Sequence, residues 1–278
     1  MTQATQSYGV VGHPIAHSLS PFIHGLFAKE TGEPVSYRAY DVGPEMFRGR
    51  VLDFFSSGGK GLNVTLPHKV AAAEIANELA PRAARAGAVN TLTLRDDRIV
   101  GDNTDGVGLA RDLTQFLGIQ LSSRRILILG AGGATRGVIA PLLELGPIDI
   151  VIGNRSVDRA LALAADFSDL GAISGCGFSE LAGQSFGLVI NATSASLDGK
   201  MPAIPPGILT AESICYDMAY GKSETPFMRW ALEQGCARAV QGLGMLVEQA
   251  AESFFIWRGV RPSTALVREA LRRKALHA

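Results

Sequence analysis

RILILGAGGATRGVIAPLLEL, residues 125–145, is the stretch that decides the fold. Apart from Arg125, its first five residues are apolar without alternation, as expected of a strand buried on both faces. Gly130, Ala131, Gly132, Gly133 and Ala134 follow, and a helix runs on to about residue 145. Strand, glycine-rich turn and helix together form an arrangement that binds a dinucleotide pyrophosphate. The glycines let the backbone approach the phosphates, and the helix N-terminus offers unpaired N–H groups and a positive dipole end. The third glycine of G-x-G-x-x-G is out of register here, because Thr135 stands in its place. A glycine-rich turn alone also fits a tight strand-to-helix connection or an S-adenosylmethionine enzyme, so its neighbours must decide.

The next strand, residues 149–152, ends in Gly153, Asn154, Arg155 and Ser156. At roughly this distance past the turn, about 20 residues, NAD-binding folds place an acid on the ribose 2′-hydroxyl. Arg155 and Ser156 offer a cation and a hydroxyl instead, and Arg159 follows one turn along. Those groups suit a 2′-phosphate and favour NADP over NAD. The plainer alternative is a solvated Arg155, since exposed arginine is common. Further strands are expected at 188–190 and 213–217, and helices at 157–167 and 225–234.

Upstream, strands at 8–11, 35–40, 61–65 and 89–94 alternate with helices at 20–31, 44–57 and 69–79. Ser20 can cap the first helix, with Pro21 at the first helical position. Such alternation predicts parallel sheets covered by helices. Residues 244–257 and 262–276 are helical without intervening strands, so the C-terminus is expected to pack back on the first lobe.

The 278 residues suit two lobes. Apolar residues make up 47% and charged residues 19%, which reads as globular. Lys+Arg and Asp+Glu balance at 26 each, leaving no basic field for nucleic acid. No segment approaches the ~20 apolar residues of a membrane span, and the polar start at residues 1–7 is not a signal peptide. Cys176, Cys215 and Cys236 form no C-x-x-C pair, which reads as reduced thiols in the cytoplasm.

Four polar segments interrupt the first lobe: GHPIAHSLS (12–20), NVTLPHK (63–69), AVNTL (88–92) and NTDG (103–106). Each is expected at the carboxyl end of a strand, the edge where open α/β sheets bind ligands. Hydroxyls, amides, a lysine and an aspartate there suit a small polyhydroxylated acid. Each has a bland reading too: Ser18 and Ser20 as caps, Asn90 and Asn103 as turn residues, Lys69 as a solvated first-turn lysine. His13, His17 and His24 do not complete a metal site, and none is expected.

Together with Tyr216–Tyr220 (YDMAY), Thr225-Pro226 and QGLGMLVEQ (241–249), this ordered set resembles the shikimate dehydrogenase family across nearly the whole chain. The resemblance implies a two-lobe α/β protein. An N-terminal substrate domain, residues 1–105, would be completed by C-terminal helices 244–278. A Rossmann-type NADP-binding domain would span 106–243. It implies that Ser18, Ser20, Thr65, Asn90, Asp105, Tyr220 and Gln249 contact shikimate and that Lys69 and Asp105 are catalytic. Gly130–Ala134 with Asn154, Arg155, Ser156 and Arg159 would hold the ADP 2′-phosphate end, and Thr193, Met218 and Gly242 would lie nearer the nicotinamide. Gly25 and Gln241 depart from the family pattern, where a polar residue and an aspartate are common.

The implied reaction is the reversible reduction of 3-dehydroshikimate by NADPH, a step toward chorismate and the aromatic amino acids. A carboxylate beside Lys69 stabilises its ammonium form, which suits it as acid or electrostatic clamp. Gln249 would reach the substrate as the lobes close. A quinate/shikimate dehydrogenase using NAD and a catalytically silent metabolite-binding module are the rival readings, and a monomer or a homodimer fits equally.

Overall fold

The computed structural model describes residues 4–221 and 223–276. The first three residues of the polar start and the last two of the C-terminal stretch lie outside them. Two compact units form: Met1–Gly108 with Leu246–Ala278, and Leu109–Met245.

The first unit contains β1 (Gln6–Gly12), α1 (Ser20–Thr31), β2 (Val35–Asp41), α2 (Phe47–Ser56), β3 (Gly61–Val64), α3 (Lys69–Ile75), β4 (Glu78–Leu79), α4 (Pro81–Ala86), β5 (Thr91–Arg95) and β6 (Arg98–Asp102). Its sheet has the order β2-β1-β3-β5-β6-β4. β1, β2 and β3 are parallel, but β5 is antiparallel to both β3 and β6, which corrects the all-parallel expectation. The cause is a two-residue hairpin at Asp96 and Asp97, whose φ values of 46° and 59° match a type I′ turn. Aspartate tolerates that left-handed region, yet without a glycine the turn gives little signal in sequence.

The expected helix at 69–79 stops at Ile75. Asn77 donates its backbone N–H to Ile99 O and accepts from Ile99 N on its side chain, both at 2.8 Å, which pulls the chain into β4. Ser20 does not cap α1 either. It is the first helical residue, and its N–H donates to Ser18 Oγ at 3.3 Å.

The second unit has β7 (Arg125–Leu129), α6 (Gly133–Leu143), β8 (Asp149–Asn154), α7 (Val157–Asp166), β9 (Ile173–Gly177), β10 (Phe186–Asn191), β11 (Leu209–Asp217), α8 (Pro226–Glu233) and β12 (Arg238–Gln241). Its sheet is parallel throughout, in the order β12-β11-β10-β7-β8-β9. β7 lies at the point where the strand order reverses. Ile126 and Ile128 enter one core with Val138 and Leu163, while Leu127 and Leu129 enter the other with Phe227. That two-residue period fills both faces of the sheet, and each such side chain contributes about 1.5–3 kcal/mol. β9 and β12 carry no continuous apolar run because they are edge strands, so sequence patterning does not reveal them.

The chain leaves the first unit within α5 (Asp105–Arg111), at Gly108. It ends in α9 (Leu243–Arg258) and α10 (Thr264–Leu276). From Leu246 onward the C-terminal helices group with the first unit. α9 is tied there by Trp257 Nε1, which donates to Leu92 O at 3.2 Å, and by an Arg258–Glu33 ion pair. Among the described residues no helix is long and apolar enough to cross a membrane.

Candidate functional site

In the first unit the strand directions bring four polar segments to one sheet edge. β1 and β3 end there at Gly12 and Val64. β5 begins there, with Thr91 opposite both Asn63 and Asp102. Asn90 thus precedes its strand instead of ending one, a correction that follows from the antiparallel β5.

Lys69 opens α3 and Asp105 opens α5. Lys69 Nζ donates to Asp105 Oδ2, with side chains 12% and 5% exposed. A pair this buried is tolerated only when its remaining lone pairs are satisfied. Asp105 Oδ1 accepts from Asn90 Nδ2 at 2.9 Å, and the Asp105 N–H donates to Asn103 Oδ1 at 3.1 Å. Asn103 in turn donates to Ala88 O at 2.9 Å, so it shapes the turn. Gln249 Oε1 accepts from Asn90 Nδ2 at 3.3 Å, while Gln249 Nε2 donates to Leu246 O at 2.8 Å.

Lys69, Asp105, Asn90 and Gln249 therefore form one hydrogen-bonded group within this unit. Ser18 and Thr65 are half-buried and Ser20 is buried on adjoining segments. Among the described residues none of the three hydrogen-bonds to that group. His13 is exposed and its ring nitrogen hydrogen-bonds Asp41, and His24 is buried among aromatic rings. Chemically, the group offers a proton-bearing ammonium backed by a carboxylate and rimmed by amides.

The second unit presents the glycine-rich turn. Gly130 has φ +103°, which disfavours any side chain, and its N–H donates to Gly153 O at 2.8 Å. Thr135, fully buried, donates its hydroxyl to Gly130 O at 2.8 Å and so locks the turn where a third glycine is absent. α6 starts behind Gly132 with no side-chain cap, and a Cβ at Gly132 would meet nothing within 4 Å. Its first amides have no partner within the helix and could hold an anion. Ala131, Gly132, Gly133 and Ala134 carry the chain from β7 into α6. At the end of β8, Asn154 Nδ2 donates to Ser156 O at 2.9 Å, and Arg155, Ser156 and Arg159 are exposed. No acid stands at residues 153–156, and Asp158 follows in the first turn of α7; Arg155, Ser156 and Arg159 could hold an anionic 2′-phosphate.

Thr193 stands against the turn, 3.1 Å from where a Cβ on Gly130 would lie, and Gly242 packs onto Met218 O. Behind them Asp217 is fully buried and accepts from Thr225 Oγ1 at 2.6 Å, Ser196 Oγ at 2.7 Å and Asn191 Nδ2 at 3.1 Å. Burial raises its carboxyl above the usual range against the pull of those bonds. Tyr220 is half-buried beyond β11, and Gln241 Oε1 accepts from Gly221 N at 2.9 Å.

Three family models match: the shikimate dehydrogenase substrate binding domain over residues 10–92, shikimate / quinate 5-dehydrogenase over 109–198, and the shikimate 5′-dehydrogenase C-terminal domain over 242–272. A shikimate dehydrogenase (NADP(+)) of Dechloromonas aromatica is 55% identical, covering 96% of this chain and 97% of its own. The chain belongs to the shikimate dehydrogenase family.

Another family member, shikimate dehydrogenase (NADP(+)) of Methylococcus capsulatus, is 54% identical over 98% of this chain and 97% of its own. The crystal structure of an Ael1 enzyme from Pseudomonas putida superimposes with a TM-score of 0.89 at 47% identity, covering 96% and 98% of the two chains. That of Thermus thermophilus shikimate 5-dehydrogenase in complex with NADP(H) and shikimate gives 0.86 at 35%, covering 97% and 99%.

Sequence reading did not single out Asn63, Thr91, Thr104 or Ser253, all buried around Asn90. The first three sit inside the quoted motifs. Ser253 lies four residues after Gln249, hence on the same helical face, which is the signal that marks it. Asn191 carried no signal, because its partner Asp217 is brought to it by the parallel pairing of β10 and β11.

Proposed function

We propose that this protein is an NADP-dependent shikimate dehydrogenase that reduces 3-dehydroshikimate to shikimate, reversibly, on the route to chorismate and the aromatic amino acids. The observation that carries the reading is the buried Lys69–Asp105 pair held by Asn90 and Gln249. Curated relatives of more than half identity over nearly the whole chain support it.

The turn Gly130–Ala134 and the N-terminus of α6 would hold the pyrophosphate of NADP. Asn154, Arg155, Ser156 and Arg159 would hold its 2′-phosphate, with Thr193, Met218 and Gly242 toward the nicotinamide. Bound NADPH supplies a hydride. Lys69, as ammonium, donates a proton to the substrate oxygen and stabilises its developing charge. Asp105 keeps that ammonium aimed. In the oxidative direction the pair takes the hydroxyl proton. Ser18, Ser20, Thr65, Asn90, Tyr220 and Gln249 bind and orient the hydroxyls and carboxylate of shikimate, which fixes the ring carbon that reacts.

We place the enzyme in the cytoplasm, as a monomer or homodimer, with Cys176, Cys215 and Cys236 as buried free thiols. The test is initial rate in both directions: NADPH consumption with 3-dehydroshikimate and NADPH formation with shikimate. Turnover in both supports the reading, and absence of turnover in both refutes it.

A further inference from the structure

Asn90 touches Asp105 and Gln249 through one amide nitrogen, so the orientation of that amide decides what the site presents. The Thr104 backbone N–H, which can only donate, faces the other end at 2.8 Å and so identifies it as Oδ1. Asn63 is oriented by the same logic: the atom 3.2 Å from the Asn90 carbonyl must be its NH₂. Asn63 Nδ2 then donates to Thr91 Oγ1 at 3.2 Å and to Ser253 Oγ at 3.0 Å, and Tyr37 OH donates to Asn63 Oδ1 at 2.8 Å.

Thr91 stands between these two fixed amides, fully buried. Its hydroxyl has one proton and faces an acceptor, Asn90 Oδ1, at 2.8 Å. Toward Ser253, at 2.8 Å, it must therefore accept. The hydrogen bonds run in one direction: Tyr37 to Asn63, Asn63 to Ser253, Ser253 to Thr91, Thr91 to Asn90, and Asn90 to Asp105, which holds Lys69. Chains ordered this way polarise one another. Gln249 O, 3.0 Å from Ser253 Oγ, shares that hydroxyl's single proton with Thr91 Oγ1, so the same hydroxyl joins α9 to the chain.

We propose that Thr91, backed by Ser253, is a positioning residue that locks the Asn90 amide toward the Lys69–Asp105 pair. Its activity readout rests on the dehydrogenase reading above; its structural readout does not.

The test uses the full-length protein labelled with 15N at asparagine. In Thr91→Val, nearly isosteric but without the hydroxyl, the Asn90 side-chain amide protons are expected to exchange with solvent about tenfold faster, the loss of one buried hydrogen bond. Thr91→Ser restores protection. Ser253→Ala moves the same resonances in the same direction, and serves if the valine variant fails to fold. With shikimate and NADP, Thr91→Val lowers kcat by about tenfold with a smaller change in KM. In an Asn90→Ala background it costs nothing further, as a residue acting through Asn90 must. Unchanged exchange at Asn90 in both variants, or a double variant as impaired as the product of the two singles, overturns the proposal. A wild type without shikimate turnover refutes the functional reading instead, and Asn90 exchange still decides the role of Thr91.

Discussion

The first residues of two helices, Lys69 of α3 and Asp105 of α5, meet in an ion pair shielded from solvent. Both helix starts lie at the edge where β3 and β6 end, so the sheet sets their separation. The pair is thus built into the framework and does not depend on two flexible side chains finding each other.

Replacing Lys69 by alanine is expected to lower kcat by about 10²–10⁴ while KM for shikimate changes little, since the ammonium acts on the reacting oxygen. The variant also leaves Asp105 buried and unpaired, so its thermal midpoint falls. A large rise in KM at unchanged kcat makes Lys69 a plain binding residue.

Arg155→Gln is expected to raise KM for NADP by about 10- to 100-fold, the worth of a hydrogen bond to a charged group, and to leave KM for NAD unchanged. Measuring both cofactors separates loss of the 2′-phosphate contact from damage to the fold. Equal losses with both cofactors contradict the assignment.

Stability has its own pH signature. His24 is fully buried, stacked on Tyr37 with centroids 4.1 Å apart, and neither ring nitrogen makes a hydrogen bond of sound geometry. Burial lowers its pKa to about 3, with the nearby Asn63 amide opposing weakly. The unfolded chain therefore binds a proton near pH 6.5 that the folded chain refuses, so this contribution is complete above pH 6.5 and is lost as pH falls toward 3. Between pH 7 and pH 5 it amounts to about 2 kcal/mol. Urea titrations at the two pH values should show the loss, and His24→Phe should remove it. An equal slope in the variant contradicts the assignment.

Gly25 is an exposed position within α1, and a Cβ there would meet nothing within 4 Å. Gly25→Ala is expected to stabilise the protein by about 0.5–1 kcal/mol, the helix cost of glycine. Thermal unfolding reads it, and no gain means the helix is strained in some other way.

Sequence carries the second unit well, because β7 buried on both faces and the Gly130–Ala134 turn are local patterns. It carries the first unit's sheet less well, because the Asp96–Asp97 hairpin reverses β5 without a glycine to announce it. Lys69, Asp105 and Asn90 are legible as polar breaks in apolar stretches, whereas Gln249 is picked out only by the family resemblance. Thr91 and Ser253 are not, because a small hydroxyl in a strand or helix reads as filler until the tertiary fold puts amides on both sides of it. Asn77 shows the same limit: its bonds to Ile99 end α3 early, and nothing local predicts them.

The most direct measurement is the initial rate with shikimate and quinate, each offered with NADP and with NAD. Turnover confined to shikimate with NADP is the predicted result. Comparable turnover of quinate with NAD would contradict the account, because it would deny any role to Arg155, Ser156 and Arg159 in choosing the cofactor.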